Sequence, residues 1–146
     1  MAVNFPSKEY FQALKGQMVA AQEHFSRLGF IDTTFGVSVG NNGKSHNYVL
    51  EFEVFELKDI REVPEIDLKK VDFAISGDGR VWREMIENIK RNGQADTDHD
   101  LNTLAHFGEQ LKISYDDPDG HDKLYRFMES IQEFFDLSSK LDVSFN

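Results

Sequence analysis

Cysteine is absent from the 146 residues. That removes disulfides, thiolate zinc sites, iron–sulfur ligation and cysteine nucleophiles together, and it suits a reducing compartment such as the cytoplasm. Basic residues are scarce: 16 stand against 26 acidic ones, a formal net charge of −10. Nucleic acid and anionic membrane surfaces both require local positive potential, so both are poor partners for this chain. No run of about 18 uninterrupted apolar residues occurs, so no integral membrane span is expected. The segment Met1 to Glu9 lacks a basic region followed by an apolar block and does not read as a secretory signal. Repeats, low-complexity tracts and Pro/Ser-rich linkers are also missing, which points to one domain over residues 1–146.

Apolar residues make up 40% of the chain and charged ones 29%, a globular composition. A chain of this length should fold around one core and leave roughly 7,700 Å² exposed. Phe11, Leu14, Met18, Ala21, Phe25 and Leu28 recur at steps of three and four, so they predict one N-terminal helix over about 7–28. Ser7 is its N-cap and Gly29 its stop, while Gly16 weakens its middle. The period then changes to two. Phe35, Val37 and Val39, the turn residues Asn41-Asn42-Gly43-Lys44, and Leu50, Phe52 and Val54 read as an antiparallel hairpin. The apolar phase slips at Val54-Phe55, which requires a bulge or a sharp bend.

A charged connector around Pro64 leads to a third strand, Val71–Ile75, and Gly77-Asp78-Gly79 opens a helix whose stripe is Val81, Trp82, Met85, Ile86 and Ile89. Asn92-Gly93 ends it. A short helix over Asp96–His106, a fourth strand at Leu111–Tyr115, a turn at Asp116–Gly120 and a closing helix over about His121–Leu141 complete the series. The predicted class is α+β: a mostly antiparallel sheet of about four to five strands with helices packed on one face, the core spanning about 33–141.

Most motif-like stretches fail on chemistry. Asp96-Thr97-Asp98-His99-Asp100 imitates a calcium loop, but Leu101 stands where glycine is needed and Phe107 where a bidentate glutamate is needed. Asp116-Asp117-Pro118-Asp119-Gly120 reads as capping and turn chemistry. His24, His46, His99, His106 and His121 include no pair at metalloprotease spacing, and Gly77-Asp78-Gly79 lacks what a phosphate loop requires. No metal, cofactor or nucleotide is therefore expected, and no catalytic residue is assigned. His99 with Asp96 or Asp100 is the one pairing with acid–base geometry in prospect.

The surplus lies in aromatic residues, 13 of them phenylalanine. The wide apolar arc of the closing helix and the Trp82/Met85/Ile89 stripe exceed what one sheet face covers. They predict an apolar pocket between sheet and helices lined by Phe35, Phe52, Phe73, Trp82, Met85, Ile89, Leu104, Phe127, Ile131 and Phe134. Two other readings stand beside it. One is an acidic interaction module, or a homodimer built on a surplus helix face. The other is a small α+β enzyme on a steroid- or polyketide-like substrate, with His99 or an aspartate as base.

The segment order and several residues resemble the sterol carrier protein-2 (SCP2-like) family over about residues 33–137. Phe35-Gly36-Val37-Ser38-Val39-Gly40-Asn41-Asn42-Gly43 looks like the opening hairpin of that family. Val71-Asp72-Phe73-Ala74-Ile75-Ser76-Gly77 leading into Trp82-Arg83-Glu84-Met85-Ile86 looks like its third strand and following helix. Gly108 with Leu111-Lys112-Ile113 looks like its late strand. Ser114 to Pro118 and the aromatic closing helix depart from the pattern. The resemblance implies an SCP2-like fold and non-catalytic binding or transfer of a fatty acyl chain, sterol or steroid-like molecule.

Overall fold

The computed structural model describes residues 2–106 and 110–145. A short strand, β1 (Val3–Phe5), precedes α1 (Lys8–Ala20) and α2 (Gln22–Leu28). Ser7 caps α1 by accepting the Tyr10 amide at 3.1 Å, and Gly29, at φ +100°, stops α2. The single helix expected over 7–28 is broken. Ala21, at φ −104° and ψ 22°, leaves the helical region and serves as the end of one helix and the start of the next. No glycine or proline marks that break, and Phe11, Leu14 and Met18 before it and Phe25 after it are all buried.

Strands β2 (Thr33–Asn41) and β3 (Lys44–Glu53) form the expected hairpin, with Phe35 opposite Leu50 and Asn41 opposite Lys44. Asn42 and Gly43 at the tip both have positive φ, 51° and 79°, as a two-residue turn matched to strand twist demands. The slip at Val54-Phe55 proves to be a full reversal. Glu53 pairs with Glu56 across those two residues and the chain returns as β4 (Glu56–Val63), where a connector was expected. Glu51 faces Asp59 and Phe52 faces Leu57, so Lys58 is the extra residue of a bulge and the inward side chains are Leu57 and Ile60.

The connector from Pro64 to Asp72 then crosses the outer face of the sheet. Ile66 fills the space above Gly36, where a Cβ would stand 2.7 Å from the Ile66 Cδ1, and the Asn47 amide holds the Pro64 carbonyl at 3.0 Å. β5 begins and ends later than expected, Phe73–Asp78, and runs parallel to β2. Asp78 caps α3 (Gly79–Asn92) by accepting the Arg80 amide at 2.8 Å, and Gly93, at φ +83°, ends it.

The helix expected over 96–106 is shorter, α4 (Leu101–His106), because Asp96 to Asp100 form turns that cap it. Gly108 lies outside the described residues. β6 (Leu111–Ser114) follows. The expected turn at 116–120 is instead the first turn of α5 (Pro118–Arg126), with Asp117 as N-cap and Pro118 at the first helical position. The closing helix breaks at Phe127, φ −108° and ψ 13°, before α6 (Met128–Asp136) and a 3₁₀ turn at Leu137–Lys140. β7 (Val143–Phe145) returns to pair in parallel with β1. Neither terminal strand carries a local signature.

The main sheet has the order β4-β3-β2-β5-β6, antiparallel except for the β2–β5 pair. Its inner face carries Phe35, Val37, Val39, Tyr48, Leu50, Phe52, Phe73 and Ile75, roofed by α1, α3 and α6. The buried apolar residues other than Val49 and Ala74 form one contiguous cluster, and the folded chain exposes 7897 Å². The α+β class with a mostly antiparallel sheet, expected with about four to five strands, is what the structure has, with five in the main sheet. No described helix is long and apolar enough to cross a membrane.

Candidate functional site

The inner face of the sheet sets the site. Because β2 and β5 are parallel with Phe35 directly opposite Phe73, those two rings stack at 4.9 Å between centroids and 9° between planes. Phe52 stacks on the other side of Phe35 at 5.5 Å, and Phe134 of α6 meets Phe52 edge-on at 5.1 Å. Phe135 carries the contact on to Trp82, 5.7 Å away, and to Phe11 at 6.5 Å. The Trp82 indole N–H donates to the Ser38 carbonyl at 3.2 Å, so its polar atom is satisfied inside the layer. Stacked and edge-on aromatic pairs of this kind add to area burial.

Of the residues predicted to line a pocket, Phe35, Phe52, Phe73, Trp82, Met85, Ile89, Leu104, Ile131 and Phe134 are buried and belong to this one layer. Phe127 is half-buried against its edge, at the α5–α6 junction, with the Arg126 guanidinium 5.9 Å from its ring centroid. Their side chains lie against one another, and Phe52 alone of them reaches one of the surface clefts described next.

The layer approaches the surface between α4, β6 and α5. A cleft of about 350 Å³ there is lined by Ala105, His106, Leu111, Lys112, Ile113 and His121. Leu111, at its floor, is buried and abuts Gly77, whose missing Cβ would stand 3.6 Å from the Trp82 indole nitrogen. The mouth is aromatic. His121 stacks on Tyr115 at 4.3 Å and meets Tyr125 edge-on at 5.1 Å. The His106 Nδ1 lies 2.8 Å from the Asn102 carbonyl, which can only accept, so Nδ1 carries the proton. In the neutral ring Nε2 then accepts from the Tyr125 hydroxyl, 2.6 Å away. Nothing in the composition marks this cluster. Its one trace in the sequence is Tyr125 four residues after His121, one helical turn on.

Other clefts lie elsewhere on the surface. One of about 290 Å³ lies between Phe5, Pro6, Asn41, Arg80, Arg83 and Phe145, with the Arg83 guanidinium 4.8 Å over the Phe145 ring. A second, of about 450 Å³, sits on the outer face between Asp32, Glu51 and Glu53 on the strand side and Lys69 and Lys70 on the connector side.

The expected His99–Asp96 pairing exists, Nδ1 to Oδ1 at 2.7 Å, and Asp100 instead caps α4 through the Thr103 amide at 2.7 Å. The Asp96 carboxylate also accepts from Asn88 at 2.9 Å and from the Asp98 amide at 3.0 Å. The His99 hydrogen bond, then the one from Asn88, hold its pKa below the ordinary aspartate value. Those bonds tie a turn to α3. Asp136 shows the opposite shift: burial raises its pKa, although Gln132 and the Ala95 amide both donate to it. Burial also raises Tyr10, whose hydroxyl meets Ser138 at 2.6 Å, and Tyr48. Among the described residues, no three His, Asp or Glu side chains come together in a metal-holding geometry.

No protein-family model and no curated protein matches the chain. Solved structures do. A conserved hypothetical protein from Thermus thermophilus, described as a candidate sterol carrier protein, superposes with a TM-score of 0.71 at 13% identity, over 94% of this chain and 90% of that one. Sterol carrier protein 2 gives 0.68 at 14% identity, over 92% and 97%. The UbiJ-SCP2 ubiquinone synthesis protein gives 0.51 at 15% identity, over 91% and 88%. Identities this low speak of architecture alone, and that architecture is plain: the chain has the sterol carrier protein-2-like fold.

Proposed function

We propose that the chain is a non-catalytic carrier that binds or transfers an apolar molecule, a fatty acyl chain or a sterol-like compound, between its sheet and its helical roof. The cytoplasm is the compartment that a cysteine-free chain of this kind suits. The reading rests on one observation. The fold shared with sterol carrier protein 2 over 92% of the chain meets, at its sheet–helix junction, a continuous layer of apolar rings. In this reading Phe35, Phe52, Phe73, Trp82, Met85, Ile89, Leu104, Phe127, Ile131 and Phe134 are the residues that contact the guest. The α4–β6–α5 cleft is the way in, because its floor at Leu111 adjoins Gly77 and Trp82.

The rings already touch, so a guest must part them. Each ring pair separated is repaid by contact with the guest's own apolar surface. Native mass spectrometry of gently purified protein should show a co-purified apolar mass, and a fluorescent fatty acid should bind saturably. Ile113→Trp, which fills the cleft, should abolish that uptake while the circular dichroism spectrum is retained. Absence of both the bound mass and saturable binding would end the proposal.

A further inference from the structure

The mouth of the α4–β6–α5 cleft has a charge pattern of its own, and what it implies rests on the carrier reading above. Four other clefts each include a carboxylate: Asp78 in one, Glu87 in a second, Asp72 in a third and Asp116 in a fourth. In a chain of net charge −10 that is the expected lining. This cleft differs. Its titratable lining is His106, Lys112 and His121, with no carboxylate among the described residues. The acidic residues nearby in sequence belong elsewhere. Asp117 caps α5 through the Asp119 amide at 2.9 Å, Asp116 lines another cleft with Lys69, and Asp119 and Asp122 do not enter this lining. Among the described residues, neither Lys112 nor His121 has a carboxylate partner.

The three basic side chains are not equivalent. His106 is committed on both ring nitrogens, to the Asn102 carbonyl and the Tyr125 hydroxyl, so it positions Tyr125. His121 is held by its face against Tyr115, and an N–H at the edge of a stacked imidazole stays open to an acceptor. Across β6 the cleft runs from the exposed Lys112, past the half-buried Ile113, to the buried Leu111, which pairs with Gly77 and adjoins Trp82. Donors at the rim and hydrocarbon at the floor match an amphiphile whose charge is negative. One lysine with a neutral imidazole balances a single negative charge, and a carboxylate offers an acceptor oxygen to each of them. A sterol hydroxyl is neutral and gains nothing from the ammonium beyond what water gives it. We infer that Lys112 and His121 are the specificity-determining pair of this cleft. They seat the headgroup of a long-chain carboxylic acid whose chain passes over Ile113 and Leu111, so the guest is an anionic single-chain amphiphile and not a sterol.

The test titrates dodecanoate, dodecanol and acetate into the full chain, with Trp82, its one tryptophan, as the fluorescent reporter. Dodecanoate should bind about tenfold or more tighter than dodecanol, the size of a charge-assisted contact, and acetate should not compete at matched concentration. Lys112→Met and His121→Phe should each lower that acid-to-alcohol ratio. Lys112→Glu should bring it to one or below, and Lys112→Arg should restore it. Lys112 is exposed, so its variants should keep the thermal midpoint, which separates lost recognition from lost folding. Equal affinity for acid and alcohol, or a ratio that survives Lys112→Glu, would overturn the headgroup assignment and leave the carrier reading standing. Acetate as tight as dodecanoate would overturn it too, by making the cleft a site for free anions. Failure of both long-chain ligands to bind would remove the carrier reading itself and the headgroup assignment with it.

Discussion

Gly120 occupies the first turn of α5 where that helix crosses the start of β5. A Cβ there would fall on the Asp72 carbonyl oxygen and stand 2.8 Å from its carbonyl carbon, so backbone must move to admit one. Asp72 cannot yield easily. Its carboxylate accepts from the Thr33 hydroxyl at 2.8 Å and the Thr34 amide at 3.0 Å, with Lys123 at 3.4 Å, and its own amide donates to the Thr34 carbonyl at 2.7 Å. Gly120→Ala should therefore cost about 1–3 kcal/mol or more in denaturant unfolding, an overpacking penalty. A neutral result would mean that α5 is free to lift away from the sheet.

Asp136 offers a test with a pH axis. Its folded pKa lies above the unfolded value of about 3.8 because burial penalises the charged form, so ionising it opposes folding. That penalty is absent at low pH, where the group is protonated in both states, and is complete above the raised folded pKa. Asp136→Asn keeps an oxygen for the Gln132 and Ala95 donors. The variant's stability relative to the parent should rise from about pH 3 to about pH 7 in urea titrations. A difference that does not change with pH would place the carboxylate in water.

At the scale of elements, α1 carries a removable weakness. Gly16 lies mid-helix on an exposed position with nothing within 4 Å of a built Cβ. The close approach that would justify a glycine is missing, so Gly16→Ala should add about 1 kcal/mol, worth roughly 2–4 °C in midpoint for a chain of this size. Elements with a local cause were legible in the sequence. The β2–β3 hairpin has Asn42-Gly43 at its tip, and α3 has Asp78 before it and Gly93 behind. The elements that escaped have non-local causes. β4 hides its alternation because the Lys58 bulge puts two outward residues in a row. β1 and β7 are three-residue strands whose partners stand at opposite ends of the chain. The breaks at Ala21 and Phe127 follow from what each helix half packs against, with no glycine or proline at either point. The same division holds at the site. That Phe35, Phe73 and Phe134 face inward follows from period, but the mouth formed by His106, Tyr115, His121 and Tyr125 depends on three separate elements meeting.

For the whole molecule, the proposed guest can be read through its effect on stability. A guest held in the ring layer binds the folded chain through apolar contact, and unfolding releases it. At a free concentration about a hundredfold above Kd such a guest adds about 2.7 kcal/mol to stability, which corresponds to a midpoint raised by roughly 5–10 °C. Salt should leave that rise nearly unchanged, because screening acts on exposed charge and not on buried hydrocarbon. Differential scanning calorimetry with a long-chain fatty acid and with a sterol, each at low and high salt, measures it. A lipid-dependent rise that salt erases would move the guest out of the interior to the surface. No rise with any apolar ligand would leave the ring layer as a closed core whose whole work is to hold the sheet to its roof.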